Sequence, residues 1–204
     1  MSESSEPRES RTNSSLQLLL QTAEKLIAEK GCRKTTLQEI MNDTGLSKGA
    51  IYHYVGSKDE LFGLVLRERL SSANERFYNA VNEKGSLTEP LHAVVYGMKQ
   101  MHDEKDVTNR ILVYLLNQRD NPVVEKTLKD FYEKSFDMSV QWIEAGQKGG
   151  VIPSEIDAHK LGELFLLISY GMRVRGMTVS KSGNFTADDM FTFMKLMLSG
   201  GCPL

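Results

Sequence analysis

Residues 30–58 concentrate side chains whose chemistry suits a polyanion. Five Lys and Arg residues face only two acidic residues in this segment, although the 204-residue chain has a formal net charge of −2. Within it, small residues at 47, 49 and 50 precede Tyr52, His53 and Tyr54. Small residues at the start of a helix let its backbone approach another molecule closely. A local basic surface on an acidic protein is typical of nucleic-acid binding.

The first element that positions these side chains is a short helix predicted from Leu37 to Gly45. Thr36 and Glu39 have the spacing of a capping box, in which each side chain bonds the other residue's backbone amide. Gly45 tolerates the left-handed conformation that commonly ends a helix. The chain is therefore expected to turn sharply at Gly45.

A second short helix is predicted to follow at once, capped by Ser47 and reaching about Tyr54. Ser57 and Glu60 then open a long third helix with another capping-box spacing. The apolar residues at which the two short helices must pack are Ile40, Leu46 and Ile51. This layout is a helix-turn-helix, whose second helix can enter the major groove of DNA.

The same residues resemble a known family. The run GLSKGAIYHYVGSKDELF over residues 45–62, preceded by TTLQEI over residues 35–40, looks like the amino-terminal DNA-binding domain of TetR-family transcriptional regulators. The close match covers about the first third of the chain. Met41 and Val55 depart from the common pattern, which often has Ala and Phe at these two positions.

The resemblance implies a role in DNA binding for particular residues. Thr36 and the Tyr52 hydroxyl are expected to bond phosphates, and Lys58 to pair with the charge of the DNA backbone. Tyr54 would add a phosphate or methyl contact. The residues expected to approach base edges are Gln38, Ser47, Lys48, Gly49 and His53.

The rest of the chain shows helical periodicity, so the predicted fold class is all-α. Residues 1–15 are predicted to be a disordered tail, 16–57 the helix-turn-helix domain, and 58–204 a larger helical bundle. The helices predicted in that bundle after the long third helix span 86–104, 107–119, 123–147, 157–179 and 187–198. The resemblance implies that this bundle binds an effector and dimerises.

The larger domain is rich in Met and aromatic residues, which are typical of a core and also suit a cavity for a largely apolar small molecule. Polar groups on otherwise apolar helices are candidates for orienting such an effector. The candidate effector-binding residues are His92, Tyr96, Gln100, Tyr114, Asn117, Trp142 and Arg173.

The helix predicted over 157–179 has two apolar stripes. One contains Leu161, Phe165, Ile168 and Met172, and the other contains Leu164, Leu167, Gly171 and Val174. A helix with two apolar faces must bury both. One face is therefore expected against the protein's own core and the other against a second subunit. The resemblance implies that this helix and the helix over 123–147 form the homodimer interface. A fully internal helix in a monomer is the alternative.

Several functional classes have no support in the sequence. His92, His102 and His159 lack metal-ligand spacing, and no catalytic motif or cofactor-binding loop occurs, so no metal, cofactor or enzyme activity is predicted. The apolar runs are too short for a membrane span, and the polar start lacks the core of a signal peptide. Cys32 and Cys202 are interpreted as reduced thiols, which favours a cytoplasmic protein.

The sequence therefore predicts a homodimeric regulator that binds a palindromic DNA operator, as a repressor released by a small molecule. An activator, or a DNA binder without an effector, would use the same DNA contacts. A helical small-molecule carrier remains a further alternative, in which the short helices are merely packed.

Overall fold

The structure is a computed structural model that describes residues 8–81, 86, 88–99, 101, 103, 105–179 and 184–200. Its regular elements within these residues are nine α-helices, with no strand, as the predicted fold class requires. They are α1 Arg8–Lys30, α2 Leu37–Thr44, α3 Lys48–Tyr54, α4 Lys58–Val81, α5 Thr88–Lys99, α6 Val107–Leu116, α7 Pro122–Lys148, α8 Ala158–Thr178 and α9 Ala187–Leu198.

Most helix boundaries agree with the sequence prediction because local capping sets them. α9 spans the predicted residues, and α7 and α8 each differ from prediction by one residue at either end. The Asp157 carboxylate accepts the backbone N–H groups of His159 and Lys160 at the start of α8. Thr186 and Asp189 form a reciprocal capping box at the start of α9. Such bonds satisfy amides that a helix leaves without partners.

The first helix of the structure extends into the segment 1–15 that the sequence predicts to be a disordered tail. α1 begins at Arg8, so residues 8–15 are helical, whereas residues 1–7 lie outside the described part of the chain. The segment from Arg8 to Ser15 contains neither Gly nor Pro. A polar extension of a helix carries no apolar periodicity, which is the signal on which the prediction depended.

The helix predicted over 86–104 is shorter than expected. α5 begins at Thr88, whose N–H donates to the Ser86 hydroxyl at 3.1 Å. It ends at Lys99, and the Asp103 carboxylate accepts the N–H of Lys105 at 2.8 Å in a separate turn. Short polar side chains compete with helical hydrogen bonds in this way, which explains the early end.

One hydrophobic cluster joins α1–α4 to α6 and to the first half of α7. Its fully buried members include Leu19, Ile27, Ile40, Ile51, Phe62, Ile111 and Leu115. The cluster continues past residue 57, where the sequence predicted a domain boundary, because α4 carries apolar residues from one unit into the other. The two short helices α2 and α3 are thus held by packing, without which helices of this length are marginal.

A second cluster is formed by α5, α7, α8 and α9. Its buried members include Leu91, Val95, Ile143, Leu161, Phe165, Met190 and Met194. The far half of α4 also reaches α7, where Phe77 stacks on Trp142 with ring centroids 4.6 Å apart. The Trp142 indole N–H donates to Asn74 Oδ1 at 2.8 Å. α4 therefore runs from the helix-turn-helix to the larger bundle, as predicted.

Candidate DNA-binding surface and ligand cavity

The turn between α2 and α3 has the local geometry that the sequence predicts. The Thr36 hydroxyl accepts the N–H of Glu39, and the Ser47 hydroxyl accepts the N–H of Ala50, both at 3.2 Å. Gly45 ends α2 in the left-handed region with φ +69°. Because other residues are strained in that region, Gly45 sets the direction in which the chain enters α3.

Two carboxylates fix the neighbouring segments. Glu39 pairs with the ammonium of Lys30, and this hydrogen bond is the main cause that lowers the pKa of Glu39. The contact ties the end of α1 to α2. At the start of α4, the Glu60 N–H donates to the Ser57 hydroxyl at 3.1 Å, while the Glu60 carboxylate accepts the N–H of Gly56 at 2.6 Å.

α3 buries one face and exposes the other. Ile51 and Val55 are buried in the first cluster. The Tyr52 side chain is 48% exposed, and Lys48 Nζ lies 5.7 Å from its ring centroid. A Cβ atom built at Gly49 would meet nothing within 4 Å. The residues exposed on this face are Ser47, Lys48, Gly49, Tyr52 and His53.

The start of α2 adds further exposed polar groups. Thr36 and Gln38 are both exposed, and the Gln38 side-chain amide donates to Asn42 Oδ1 at 3.1 Å. Arg33 and Lys34 are also exposed just before this helix. Seven of the nine candidate DNA-binding residues therefore lie on the surface of α2 and α3 or at their caps.

Tyr54 and Lys58, the other two candidates, are half-buried. Tyr54 packs against the first cluster, with its ring centroid 5.3 Å from that of His53. Lys58 Nζ donates to the backbone oxygen of Cys32 at 3.2 Å and lies 5.0 Å from the Tyr114 ring centroid. These contacts direct the Lys58 ammonium toward the protein itself. Local sequence carries no signal for them because the partners are distant in the chain.

A cavity of about 710 Å³ is lined mainly by α4, α5, α7 and α8, with further residues from α1 and α9. Its volume is in the range of ordinary small-molecule sites. Most of its wall is apolar, including Leu66, Phe77, Met98, Phe131, Ile143 and Phe165. The larger domain therefore contains the kind of cavity that its Met and aromatic residues suggested.

Three of the seven candidate effector-binding residues line this cavity, namely Tyr96, Trp142 and Arg173. Trp142 and Arg173 are partly buried, whereas Tyr96 is largely exposed at the wall. Gln100 lies outside the described residues.

The predictions for His92, Tyr114 and Asn117 are not matched by their positions, since none of them lines the cavity. His92 is exposed and stacks on Phe191 with ring centroids 4.3 Å apart. Tyr114 packs edge-on against Phe62 in the first cluster. Asn117 caps α6, which ends at Leu116 instead of the predicted Arg119, and its amide donates to Val113 O at 2.8 Å. In these three cases the side chain makes packing or capping contacts outside the cavity.

A polar network at one end of the cavity joins the candidate Arg173 to residues for which the sequence predicted no ligand role. Arg69 donates to Asp106 Oδ2 at 2.6 Å and to the Thr108 hydroxyl at 2.8 Å. Arg173 donates to Asn109 Oδ1 at 2.7 Å and to Asp106 Oδ1 at 3.4 Å. Asp106 caps the start of α6, whereas its two arginine partners come from α4 and α8.

Burial shifts the titration of the groups around this network. It raises the pKa of the Glu24 carboxyl, against the lowering effect of Arg69, and it raises the pKa of the Tyr170 phenol. It also lowers the pKa of the Arg173 guanidinium, although nearby Asp106 opposes this. Each shift has the direction expected when a charged form loses hydration.

α8 presents its two predicted stripes to different surroundings. Leu161, Phe165 and Met172 are buried in the second cluster. Leu167 and Val174 are 57% and 55% exposed, respectively, and a Cβ at Gly171 of the same stripe would meet nothing within 4 Å. Leu164 of that stripe packs against the second cluster, whereas its Leu167, Gly171 and Val174 have no cover among the described residues.

Other kinds of site find no support in the described part of the chain. No group of three or more His, Cys, Asp or Glu residues there could hold a metal ion. None of the described helices combines the length and apolarity needed to cross a membrane. Cys32 is a buried free thiol, and burial raises its pKa to about 11, which suits a small packing residue of the core. Cys202 lies outside the described residues.

Comparison with known proteins connects this geometry to a family. Residues 19–65 match the model for bacterial regulatory proteins of the tetR family. The HTH-type transcriptional repressor KstR2 of Rhodococcus jostii (strain RHA1) is 25% identical over 186 residues, which cover 89% of this chain and 88% of that protein. The similarity thus extends from the helix-turn-helix through most of the larger bundle.

Solved structures show the same fold at low sequence identity. A putative TetR-family regulator from Syntrophomonas wolfei has a TM-score of 0.66 and 17% identity, covering 90% of this chain and 92% of its own. A putative regulator from Saccharomonospora viridis, solved in complex with choline, has a TM-score of 0.62 and 20% identity, covering 89% and 94%. At this level of identity the likeness concerns the fold alone.

Proposed function

Because the chain is a TetR-family transcriptional regulator, we propose that it is a repressor that binds a palindromic operator as a homodimer and is released by a small-molecule effector. α3 enters the major groove in this proposal, and α2 contacts the DNA backbone beside it. The proposed partners are double-stranded DNA and an organic effector. Since the partner is chromosomal DNA, the proposed location is the cytoplasm.

The exposed face of α3 is the observation that carries the proposal. Lys48 can donate to guanine O6 and N7, while the Tyr52 hydroxyl can donate to a phosphate. The open space around Gly49 leaves room for the close approach of a DNA strand. The residues to which we assign base contacts are Gln38, Ser47, Lys48, Gly49 and His53, with Thr36 and Tyr52 assigned to phosphates.

For Lys58 the contacts favour a positioning role. Its ammonium joins the start of α4 to the backbone of Cys32 and to the Tyr114 ring of α6. We therefore assign Lys58 to fixing α4 under the helix-turn-helix, with any attraction to the DNA backbone acting from a distance. Tyr54, half-buried beside it, supports α3 in the same way.

Dimerisation in this proposal uses the uncovered stripe of α8 together with α7. Leu167 and Val174 are the exposed apolar residues at its centre, and Gly171 between them permits a second helix to approach closely. A two-fold axis here would bring two α7–α8 pairs into a four-helix interface. The axis would also relate the two copies of α3, as a palindromic operator requires.

Effector release requires a mechanical link between the cavity and α3, and α6 offers one. Its N-cap Asp106 belongs to the cavity network. Farther along α6, Arg110 donates to Ile27 O at 2.8 Å and to Ala28 O at 3.0 Å, at the end of α1. α4 provides a second link, because it runs from the helix-turn-helix to the larger bundle. An effector that favours one arrangement of these helices lowers DNA affinity by its differential affinity for the two states.

The test is recovery of genomic DNA fragments retained by the purified, ligand-free protein at roughly physiological salt, where non-specific contacts are weakened. A Lys48→Ala/Tyr52→Ala double variant is the control, because both side chains are exposed and their loss should leave the fold intact. We expect a shared palindrome upstream of a few genes, retained by the wild type and lost by the variant.

The possible outcomes separate the competing functions. Retention of nothing, or of unrelated fragments, by protein shown to be folded would reject the proposal and favour a helical small-molecule carrier that uses the cavity. If a palindrome is recovered, a reporter gene placed behind it distinguishes a repressor from an activator. Deleting the regulator raises reporter expression only if the regulator is a repressor. A DNA binder without an effector would hold the palindrome in the presence of every cavity ligand.

A further inference from the structure

The polar end of the cavity carries an uneven distribution of charge. Arg69 and Arg173 both approach the Asp106 carboxylate. Arg69 is the closer of the two, at 2.6 Å. The Glu24 carboxylate lies 3.9 Å from the Arg69 guanidinium and further balances its positive charge. Arg173 has only the 3.4 Å contact with Asp106, and its shortest hydrogen bond, at 2.7 Å, goes to the neutral amide of Asn109. Arg173 is therefore the less compensated cation.

Arg173 also keeps hydrogen-bond donors for another molecule. Both of its hydrogen bonds within the described residues use Nη1, which leaves Nε and Nη2 available. The only buried side-chain nitrogen or oxygen without a partner in the described part of the chain belongs to Asp59. Hence the remaining Arg173 nitrogens keep some accessible surface, and this side chain lines the cavity. A guanidinium with two free donors suits a carboxylate or a similar anion.

Several polar groups of the wall already donate their hydrogens within the protein. The Trp142 indole N–H is taken by Asn74. The hydroxyls of Ser135 and Ser169 donate to backbone oxygens of their own helices at 2.7 and 2.8 Å. Beside Asp106, Arg173 and the adjacent Tyr170 phenol, which also lines the cavity, can donate toward a ligand. A ligand that presents hydrogen-bond acceptors at this end is favoured.

We propose that the cavity binds an amphipathic organic anion, whose acidic group pairs with Arg173 beside Asp106 and whose apolar body lies among Phe77, Met98 and Phe165. This inference rests on the proposed function, in which that ligand is the effector. The arginines orient the acid group, and the apolar wall supplies affinity in proportion to the area it covers. Since Asp106 caps α6, an anion that draws Arg173 away alters the contacts at the start of that helix.

The first experiment varies only the charge of the ligand. Decanoate and 1-naphthylacetate are each compared with their primary amides, which have nearly the same shape and no charge. Binding is followed by the fluorescence of Trp142, the single tryptophan of the chain, which lines the cavity. We expect at least one acid to bind the wild type about tenfold or more tightly than its amide, as a charged hydrogen bond would give.

The second experiment varies the protein. Arg173→Met should remove the preference for acid over amide, and Arg173→Lys should restore part of it, because a lysine keeps the charge without the planar fork. Arg67→Met is the matched control, since Arg67 is an exposed arginine of α4 that does not line this cavity. Melting temperatures of all variants identify any that fail to fold.

Some results would overturn the inference. These are equal affinity for acid and amide, binding of neither ligand by the wild type, or an acid preference that persists in folded Arg173→Met. DNA binding by the ligand-free protein is measured separately. If the operator is bound but acids are not preferred, the ligand class is wrong and the regulator remains. If acids bind through Arg173 but no operator is found, the regulator is wrong and the anion site remains.

Discussion

At the residue scale, α3 divides its exposed side chains between two kinds of contact. Lys48 and Tyr52 are neighbours on one face, with the ammonium 5.7 Å from the ring centroid. A base edge differs with sequence, whereas a phosphate does not. The proposed roles of these two residues therefore predict different losses when each is replaced, even though both side chains are exposed on the same helix.

Tyr52→Phe removes one hydroxyl and keeps the ring. We expect the affinity for every DNA sequence to fall by about 1 kcal/mol, roughly fivefold, because a phosphate contact carries no sequence information. Lys48→Ala should cost about 1–3 kcal/mol on the operator and relax the preference at one base position. Fluorescence anisotropy with a panel of single-base-pair variants at fixed salt measures both effects. Equal losses on every sequence for both variants would reject this division of roles.

At the scale of the element, the short helices depend on two glycines for different reasons. Gly45 has φ +69°, a conformation that strains other residues, although a Cβ there would meet nothing within 4 Å. Gly49 is helical and has equally open surroundings. The same change to alanine therefore tests backbone conformation at one site and space for DNA at the other.

Gly45→Ala should lower the free energy of unfolding by about 1–2 kcal/mol, because alanine adopts the left-handed region at a cost. Gly49→Ala should raise it by about 0.5–1 kcal/mol, since alanine favours a helix. The same Gly49→Ala variant should nevertheless bind the operator more weakly, because its methyl group occupies space proposed for DNA. Urea denaturation and operator titration provide the two measurements. Unchanged or tighter operator binding by Gly49→Ala would remove Gly49 from the interface.

At the scale of the whole molecule, the uncovered stripe of α8 carries the proposed assembly. Leu167 and Val174 are more than half exposed on a helix whose opposite side is buried in the second cluster. Exposed apolar residues in a contiguous patch mark interaction surfaces more often than scattered ones do. The dimer would in turn fix the separation of the two copies of α3.

Leu167→Glu together with Val174→Glu should convert the protein to a monomer, because burying two carboxylates at a two-fold interface is costly. Leu196→Glu is the control, since Leu196 is 54% exposed on α9, away from this stripe. Sedimentation velocity gives the mass of each variant, and circular dichroism checks its fold. We expect the folded monomer to lose most of its operator affinity because it can hold only one half-site. A double variant that stays dimeric would place the interface elsewhere.

The sequence by itself determined the helix-turn-helix and most helix boundaries. The helix caps at Thr36, Gly45 and Ser47 involve partners only a few residues away, so the local sequence spacing predicts them. The buried and uncovered stripes of α8 follow from helical periodicity in the same way. These features required no knowledge of distant partners.

Only the tertiary structure decided which residues share the cavity and which charges are already paired. Asp106 contacts Arg69 and Arg173, which are 37 and 67 residues away in the chain. No local sequence pattern predicts these contacts. Likewise, the Lys58 ammonium donates to the backbone oxygen of Cys32, 26 residues away, and is half-buried. The physical reason is that these contacts join side chains from separate elements, whose burial and partner geometry depend on how the whole core packs.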